Sequence, residues 1–255
     1  MVHFVGAGCG APDLITVRGM RLLEQADIII YAGSLVNKEL LQYAKEDCRI
    51  FNSALMTLEE VIKVMEEGKD AKIVRLHTGE PSLYGAIREQ MDELDQRKIS
   101  YDSTPGVSAC FGVAAALNLE YTLPGLSQSL IITRMEGKTA VPTKEKMESF
   151  AAHQCSMAIY LSTGILEELS RKLIEGGYDK DTAAVLAYKV TWPEEEIYYC
   201  TIETLAQTAS EHHITKTALV LVGNVIAGTG YQKSRLYASD FSTEFRKASI
   251  QNETE

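Results

Sequence analysis

The sequence has few cysteines, no long apolar run and no excess of basic residues, and each shortage excludes a class of protein. The five cysteines among 255 residues lie far apart and form no C-x-x-C pair, so we expect reduced thiols rather than a disulfide scaffold. The longest nearly apolar stretch, residues 109–119, is far shorter than the roughly 20 residues of a transmembrane helix. A formal net charge of -10 argues against nucleic acid or an anionic membrane as a partner.

Metal-binding and export signals are also missing. The five histidines show no metal-ligand spacing to one another or to the cysteines, so we predict no protein-bound metal. No basic segment followed by an apolar run precedes the first strand-like stretch, and we therefore expect a cytoplasmic protein. The contents of 45% apolar and 24% charged residues are typical of a globular chain, and the length suits one large or two small domains.

Short apolar runs alternate with amphipathic stretches along almost the whole chain. The strand candidates are residues 2–8, 27–33, 72–79, 129–134, 156–162, 183–190 and 217–226. The helix candidates are residues 17–26, 35–45, 57–67, 84–97, 109–118, 143–152, 165–175 and 203–211. Most strand candidates are continuous apolar runs, as in strands covered on both faces. We therefore predict an α/β protein with mostly parallel sheets.

The alternation pauses once, at residues 121–128, where a Pro-Gly turn is surrounded by small polar residues. We interpret this segment as a linker between two α/β domains, residues 1–120 and 129–233. Residues 234–255 are polar and weakly periodic, so we expect them to form a peripheral tail.

The segment FVGAGCGAPDL, residues 4–14, follows the first strand candidate. Its Gly6, Gly8 and Ala11 fit the G-x-G-x-x-G/A fingerprint of dinucleotide-binding folds. That fingerprint also needs a helix that begins within the glycines and an acidic residue about 20 positions on. Here the next helix candidate begins after Thr16, a good N-cap residue, and the second strand candidate ends in YAGS without an acid. A nucleotide-dependent oxidoreductase is therefore disfavoured.

Two further loops marked by glycine or proline follow strand-like runs in the same half of the chain, at residues 77–85 and 103–110. Loops after parallel strands gather at the carboxyl edge of the sheet, where ligands bind. The three loops together predict a binding site. The alternative is a flexible loop in which the glycines only adopt positive φ angles.

Six segments carry the most specific motifs, and they read VGAGCGAPDLITVRG, ADIIIYAGSLV, RLHTGEPSLYGAIREQM, TPGVSACFGVAAAL, LPGLSQSLIITRMEG and YKVTWPEEEI. In this order they resemble the motifs of the tetrapyrrole methyltransferases of cobalamin and sirohaem synthesis, over residues 2–226. Within that family, the stretches YAGSLV, HTGEPSLYGAI, ITRMEGKTAVP and VTWPEEE are most similar to the enzymes that act on carbon 11 of precorrin-4, and among those to the cobalt-precorrin-4 enzymes.

The resemblance implies a fold, an activity and a cofactor. It implies two α/β domains with S-adenosylmethionine in the cleft between them and the tetrapyrrole in an adjoining trough. The implied reaction methylates carbon 11 of cobalt-precorrin-4 or of precorrin-4 and releases S-adenosylhomocysteine. With cobalt-precorrin-4 the product is cobalt-precorrin-5A. A homodimer is implied as well. Three alternatives stay open: another precorrin ring methylase, acting at carbon 20 or 17; the nucleotide-dependent oxidoreductase that is disfavoured above; and a corrinoid-binding protein without catalytic activity.

The resemblance also implies site residues. The implied donor-binding positions are Pro12, Gly79, Glu80, Pro81, Leu83, Ser108 and Ala109 in the first domain and Leu161, Tyr188 and Ala218 in the second. The loop that contains Gly8 and Gly10 walls the substrate trough in this family. It departs from the family pattern G-x-G-P-G-D-P at Cys9 and Ala11, and the usual G-D-P turn here contains Glu80.

Four further side chains are candidates for contact with the tetrapyrrole, among them Lys138, for which a solvated loop charge is the favoured alternative. Arg134 ends a strand candidate, and its guanidinium suits the acetate and propionate arms; the alternative is a solvated loop charge. His77 is a candidate for contact with the macrocycle or its cobalt, and the alternative is a hydrogen bond to backbone. Trp192 is either a packing anchor or a macrocycle contact. No catalytic acid or base is assigned, because methyl transfer from a sulfonium depends mainly on positioning.

Overall fold

The computed structural model describes residues 1–249. Their internal contacts divide them into two compact units, Met1–Leu117 with Ala187–Ile197, and Asn118–Leu186 with the chain from Tyr198 onward. The domain limits inferred from the sequence stay a prediction. The predicted tail is described as far as residue 249, and residues 250–255 lie outside the described residues. Within the described chain, no helix is long and apolar enough to cross a membrane.

The first unit is built on a parallel sheet of five strands. These are β1 (Val2–Gly6), β2 (Ile28–Tyr31), β3 (Arg49–Asn52), β4 (Ile73–His77) and β5 (Tyr101–Thr104), in the order β3-β2-β4-β1-β5. The helices of this unit are α1 (Val17–Gln25), α2 (Leu58–Glu67), α3 (Ile87–Gln96) and α4 (Ala109–Leu117). Because all strand pairs are parallel, the carboxyl ends of adjacent β4, β1 and β5 lie at one edge.

The apolar strands divide their side chains between two cores. In β2, Ile29 packs in one buried cluster, while Ile28 and Ile30 pack in the other. Alternate residues of a strand point to opposite faces, so continuous apolar runs fill a core on each side. Helices α1 and α2 begin where the sequence predicts caps: Thr16 accepts from the backbone N–H of Gly19, and Thr57 forms a capping box before α2.

The second sheet also has five strands. These are β6 (Leu130–Arg134), β7 (Ser156–Tyr160), β8 (Ala183–Tyr188), β9 (Glu196–Thr201) and β10 (Ala218–Val222), in the order β6-β7-β10-β8-β9. β6 and β7 are parallel, whereas β7 and β10 are antiparallel. The helices are α5 (Met147–Ala151), α6 (Leu166–Glu175) and α7 (Leu205–Glu211).

The predicted α/β class with mostly parallel sheets is confirmed, but some elements differ. The sequence did not predict β3, β5 or β9, which are all edge strands with half-exposed, polar segments. The predicted helix over residues 35–45 is wrong: the chain forms 3-10 turns at Gly33–Leu35 and Lys38–Tyr43 instead. Between them Asn37 has an extended backbone, and its side chain caps the second turn.

Candidate functional site

Three loops meet at the carboxyl edge of the first sheet, after β1, β4 and β5. Their backbones approach so closely that a Cβ atom at Gly106 would overlap the carbonyl oxygen of Gly79 and lie 2.7 Å from the Cα of Gly6. Glycine is the residue that permits such contact between backbones. The structure therefore brings together the three loops that the sequence singles out.

The loop after β1, residues 7–12, is called the glycine loop below. The backbone N–H of Ala7 donates to the carbonyl of His77 at 2.7 Å, and that of Gly79 donates to the carbonyl of Gly8 at 2.9 Å. Gly79 and Gly8 form an isolated antiparallel bridge, with φ angles of 58° and 82°. The substrate-wall candidate Gly8 and the donor candidate Gly79 are thus direct neighbours.

Glu80 braces the second loop against the third. Its Oε2 accepts from the backbone N–H of Gly106 and its Oε1 from that of Ser82, both at 2.9 Å. Burial raises the pKa of this carboxyl, but the N–H groups of Ser82 and Gly106 outweigh burial and lower the pKa below its ordinary value of 4.5. The glutamate that departs from the family pattern is therefore long enough to connect two loops.

The remaining donor candidates of the first unit lie around this brace. A Cβ atom at Gly79 would lie 3.8 Å from the Cα of Ser108, which is buried at the start of α4 next to Ala109. Pro81 is buried, and the N–H of Leu83 donates to the carbonyl of Glu80 at 3.1 Å. Pro12 begins a 3-10 turn, Pro12–Leu14, at the end of the glycine loop.

The donor candidates Leu161 and Ala218 lie at the same end of the adjacent strands β7 and β10. Leu161 follows β7 with a φ angle of 55°, and its side chain is 70% exposed. Ala218 begins β10, and its carbonyl accepts from the hydroxyl of Thr163 at 3.0 Å. Tyr188 ends β8, and it groups by its contacts with the first unit rather than the second.

Of the predicted tetrapyrrole contacts, His77 is only 3% exposed, and its Nε2 has no partner among the described residues. Burial and the nearby charge of Arg75 lower the pKa of His77 to about 3, so the ring is neutral at physiological pH. It stacks on Phe4 with ring centroids 6.0 Å apart. The neutral ring thus packs against Phe4 within the first unit, and its contact with the macrocycle stays a prediction.

Arg134 holds the loop that follows its own strand. Its guanidinium donates to the carbonyls of Thr139 and Ala140, at 3.2 and 2.8 Å. A guanidinium has five N–H groups. Among residues 1–249, these two bonds and a longer one to the carbonyl of Met135 leave the Nε–H and one Nη2–H for a carboxylate.

Sequence reasoning missed Arg75, a charged residue inside an apolar strand. Arg75 is 6% exposed, donates to the side chain of Gln90 at 3.0 Å, and pairs with no carboxylate in the part of the chain that the structure describes. Burial lowers its pKa to about 10. Gln90 in turn donates to the carbonyl of Ala86 at 2.9 Å, which ties the end of the second loop to the sheet. The sequence offered one signal for this residue: a single charged residue within an apolar strand candidate indicates a buried polar contact.

Two features of a dinucleotide site are absent from the glycine loop. Helix α1 begins at Val17, after the Thr16 cap and the 3-10 turn, rather than within the glycine loop. The N–H of Ala11 donates to the hydroxyl of Thr191 at 3.1 Å instead of facing a phosphate site. Within residues 1–249, no group of three or more potential metal ligands occurs either.

Comparisons with known proteins agree with this architecture. Residues 1–206 match the model of the family Tetrapyrrole (Corrin/Porphyrin) Methylases. A cobalt-precorrin-4 C(11)-methyltransferase of Methanocaldococcus jannaschii is 47% identical over 97% of this chain and 96% of its own. A precorrin-4 C(11)-methyltransferase of Pseudomonas aeruginosa is 36% identical, over 96% and 98%. The X-ray structure of the cobalt precorrin-4 methyltransferase CbiF superposes with a TM-score of 0.86 at 40% identity, covering 88% of this chain and 95% of that one.

Proposed function

The chain belongs to the tetrapyrrole (corrin/porphyrin) methylase family, and from this premise we propose that it methylates carbon 11 of cobalt-precorrin-4 to give cobalt-precorrin-5A. The observation that carries the proposal is the near full-length similarity to a cobalt-precorrin-4 C(11)-methyltransferase. The precorrin-4 C(11)-methyltransferase of Pseudomonas aeruginosa is less similar, 36% against 47% identical, which favours the cobalt-containing substrate.

S-adenosylmethionine is the methyl donor, and it leaves as S-adenosylhomocysteine. Leu161 supports a place for it, because an apolar side chain that is 70% exposed and held at a positive φ angle suits contact with a flat ring. At Gly79 the nearest atoms to a Cβ would be 3.8 Å away, so the turn has an open side. The full donor-binding set, including Pro12, Tyr188 and Ala218, stays a proposal.

Binding and orientation are the tasks of this chain. When bound, S-adenosylmethionine supplies an electrophilic methyl group on a sulfonium. Alignment of two bound reactants lowers a barrier by roughly 7–11 kcal/mol. The loops suit this task, because a backbone bond joins Gly79 to Gly8 and the Glu80 carboxylate holds the backbone N–H of Gly106. No general base is assigned, since positive charge is dispersed in the transfer rather than created.

We assign the free N–H groups of Arg134 to a carboxylate arm of the substrate. Gly8 and Gly10 then form part of the wall beside the macrocycle. A cytoplasmic location, inferred from the sequence, and a homodimer, implied by the family resemblance, belong to the same proposal.

The test is a methylation assay with purified protein, cobalt-precorrin-4 and S-adenosylmethionine labelled in its methyl carbon, with metal-free precorrin-4 in parallel. The product is analysed by mass spectrometry and carbon NMR. The proposal predicts one added methyl group, at carbon 11. Label at carbon 20 or 17 would identify a different precorrin methylase, and binding of the tetrapyrrole without transfer would identify a corrinoid-binding protein.

A further inference from the structure

In the glycine loop, one polar backbone atom of each of three consecutive residues is bonded to a side chain that is distant in sequence. The indole Nε1–H of Trp192 donates to the carbonyl of Cys9 at 3.0 Å. The side-chain amide of Asn37 donates to the carbonyl of Gly10 at 3.0 Å, and the N–H of Ala11 donates to the hydroxyl of Thr191 at 3.1 Å. Two of the three bonds come from adjacent residues about 180 positions away.

The packing at this point is as close as the hydrogen bonding. A Cβ atom at Gly10 would lie 2.6 Å from the hydroxyl of Thr191 and 2.7 Å from Nε1 of Trp192. Both distances are too short for non-bonded contact, so no residue with a Cβ atom fits at position 10 without a shift of its neighbours. Gly10 is thus a glycine because Thr191 and Trp192 lie against it, and this accounts for one glycine in the loop without any ligand.

The segment that carries these two side chains is itself held in place. Thr191 has a φ angle of 66°, a strained conformation for a β-branched residue. Its N–H donates to the carboxylate of Glu195 at 2.7 Å, and the N–H of Trp192 donates to the carbonyl of Lys189 at 3.0 Å. Residues 187–197 group by their contacts with the first unit, although the strands on either side belong to the second sheet.

We propose that Thr191 and Trp192 are positioning residues that fix the glycine loop, and with it Gly8 and Pro12, for methyl transfer. The inference rests on the proposed function, because Gly8 and Pro12 matter only if this loop borders the reactants. Neither side chain needs to touch substrate or donor. The role follows from their bonds to Cys9 and Ala11 and from their contact with Gly10.

The first test follows the loop without any turnover. Thr191→Val removes the hydroxyl acceptor at constant shape, Thr191→Ser keeps the hydroxyl, and Thr122→Val changes an exposed threonine in the other unit as a control. Hydrogen exchange at the Ala11 amide, measured by NMR, should accelerate about tenfold in Thr191→Val, because one net hydrogen bond is lost. It should stay within about twofold of wild type in the other two variants. Equal exchange in Thr191→Val and wild type would overturn the proposal.

The second test asks whether the fixed loop serves catalysis. Thr191→Val and Trp192→Phe should each lower kcat/KM for the tetrapyrrole about tenfold, as expected for one lost bond, with thermal unfolding close to that of wild type. Thr191→Ser should restore the activity that Thr191→Val loses. Unchanged kcat/KM in Thr191→Val, or an equal loss in Thr191→Ser, would contradict a positioning role. If the wild-type protein transfers no methyl group, the proposed function fails, and exchange at Ala11 still decides whether Thr191 fixes the loop.

Discussion

The loops at the strand ends of the two units differ in how closely their glycines are packed. In the first unit a Cβ atom at Gly106 would overlap the backbone of Gly79. In the second unit a Cβ atom at Gly164 would have no neighbour within 4 Å, and one at Gly137 would meet only the tip of Ile165 at 3.9 Å. The difference teaches that contact between backbones requires glycine at position 106, whereas the loops that contain Gly137 and Gly164, after β6 and β7, have room for a side chain.

The two units also use opposite charges to hold their loops. Glu80 accepts from two backbone N–H groups in the first unit, and Arg134 donates to backbone carbonyls in the second. Each charged group is therefore satisfied largely by backbone rather than by a salt bridge. Arginine keeps unused donors after these bonds, which is why we propose that Arg134 binds a substrate carboxylate.

The largest effect is expected at Gly106. Gly106→Ala should destabilise the protein by about 3 kcal/mol, because the backbones of two loops must separate to admit the methyl group. Unfolding in urea measures this change. Gly164→Ala is the matched control from the second unit, and it should leave stability unchanged or raise it by about 0.5 kcal/mol. Equal stability changes in the two variants would remove the contrast between the units.

The next effect is expected at Gly79, where two variants separate backbone strain from bulk. Gly79→Ala and Gly79→Arg both place a side chain at a φ angle of 58°, at a cost of about 1–2 kcal/mol. Only arginine also fills the open side of the turn. Calorimetry should show that Gly79→Arg no longer binds S-adenosylhomocysteine and that Gly79→Ala does. Full affinity in a folded Gly79→Arg variant would show that the donor binds elsewhere.

A smaller effect is expected in the second unit at Arg134. Arg134→Ala should raise KM for the tetrapyrrole about tenfold, as for one charge-assisted hydrogen bond, and leave the affinity for S-adenosylhomocysteine unchanged. Lys138→Ala removes an exposed charge from the same loop and serves as the control. A parallel loss of both affinities in Arg134→Ala would mean that the guanidinium only holds its loop.

The smallest effect is expected at Glu80, and it depends on pH. Glu80→Gln should cost about 1 kcal/mol at neutral pH, since an amide has one oxygen for two N–H donors. The lowered pKa means that the folded protein binds this proton more weakly than the unfolded chain. The stability that the ionised Glu80 carboxylate contributes is therefore complete above pH 4.5, the ordinary pKa of this carboxyl in the unfolded chain. It disappears as the pH falls through the lower pKa of Glu80 in the folded protein. A stability difference between wild type and variant that does not shrink on acidification would contradict the brace.

The sequence predicts the interior of the fold better than its edges. The runs that became β1, β2, β4, β7, β8 and β10 are apolar because both faces of these strands are buried. Edge strands such as β9, EIYYCT, are half exposed, so their pattern is not distinct from that of a loop. The error at residues 35–45 has a similar cause: Asn37 bonds to the distant Gly10, and no local pattern reports that bond.

The candidate site was likewise predictable from the sequence only in part. The three glycine-marked loops could be placed together from the sequence, because parallel strands bring their carboxyl ends to one edge. The contacts that fix those loops could not be predicted from the sequence. Thr191 and Trp192 bond to residues about 180 positions earlier, and Glu80 bonds to the backbone of Gly106, 26 positions later. Such contacts depend on tertiary structure and leave no trace in local periodicity.

The central claim is that the glycine loop belongs to a methylase and not to a dinucleotide site. Calorimetric titration of the purified protein with S-adenosylhomocysteine, run beside NAD, tests it most directly. The account predicts micromolar binding of S-adenosylhomocysteine and no heat with NAD, because the Ala11 N–H is bonded to Thr191 and α1 begins only at Val17. Binding of NAD without binding of S-adenosylhomocysteine would contradict it.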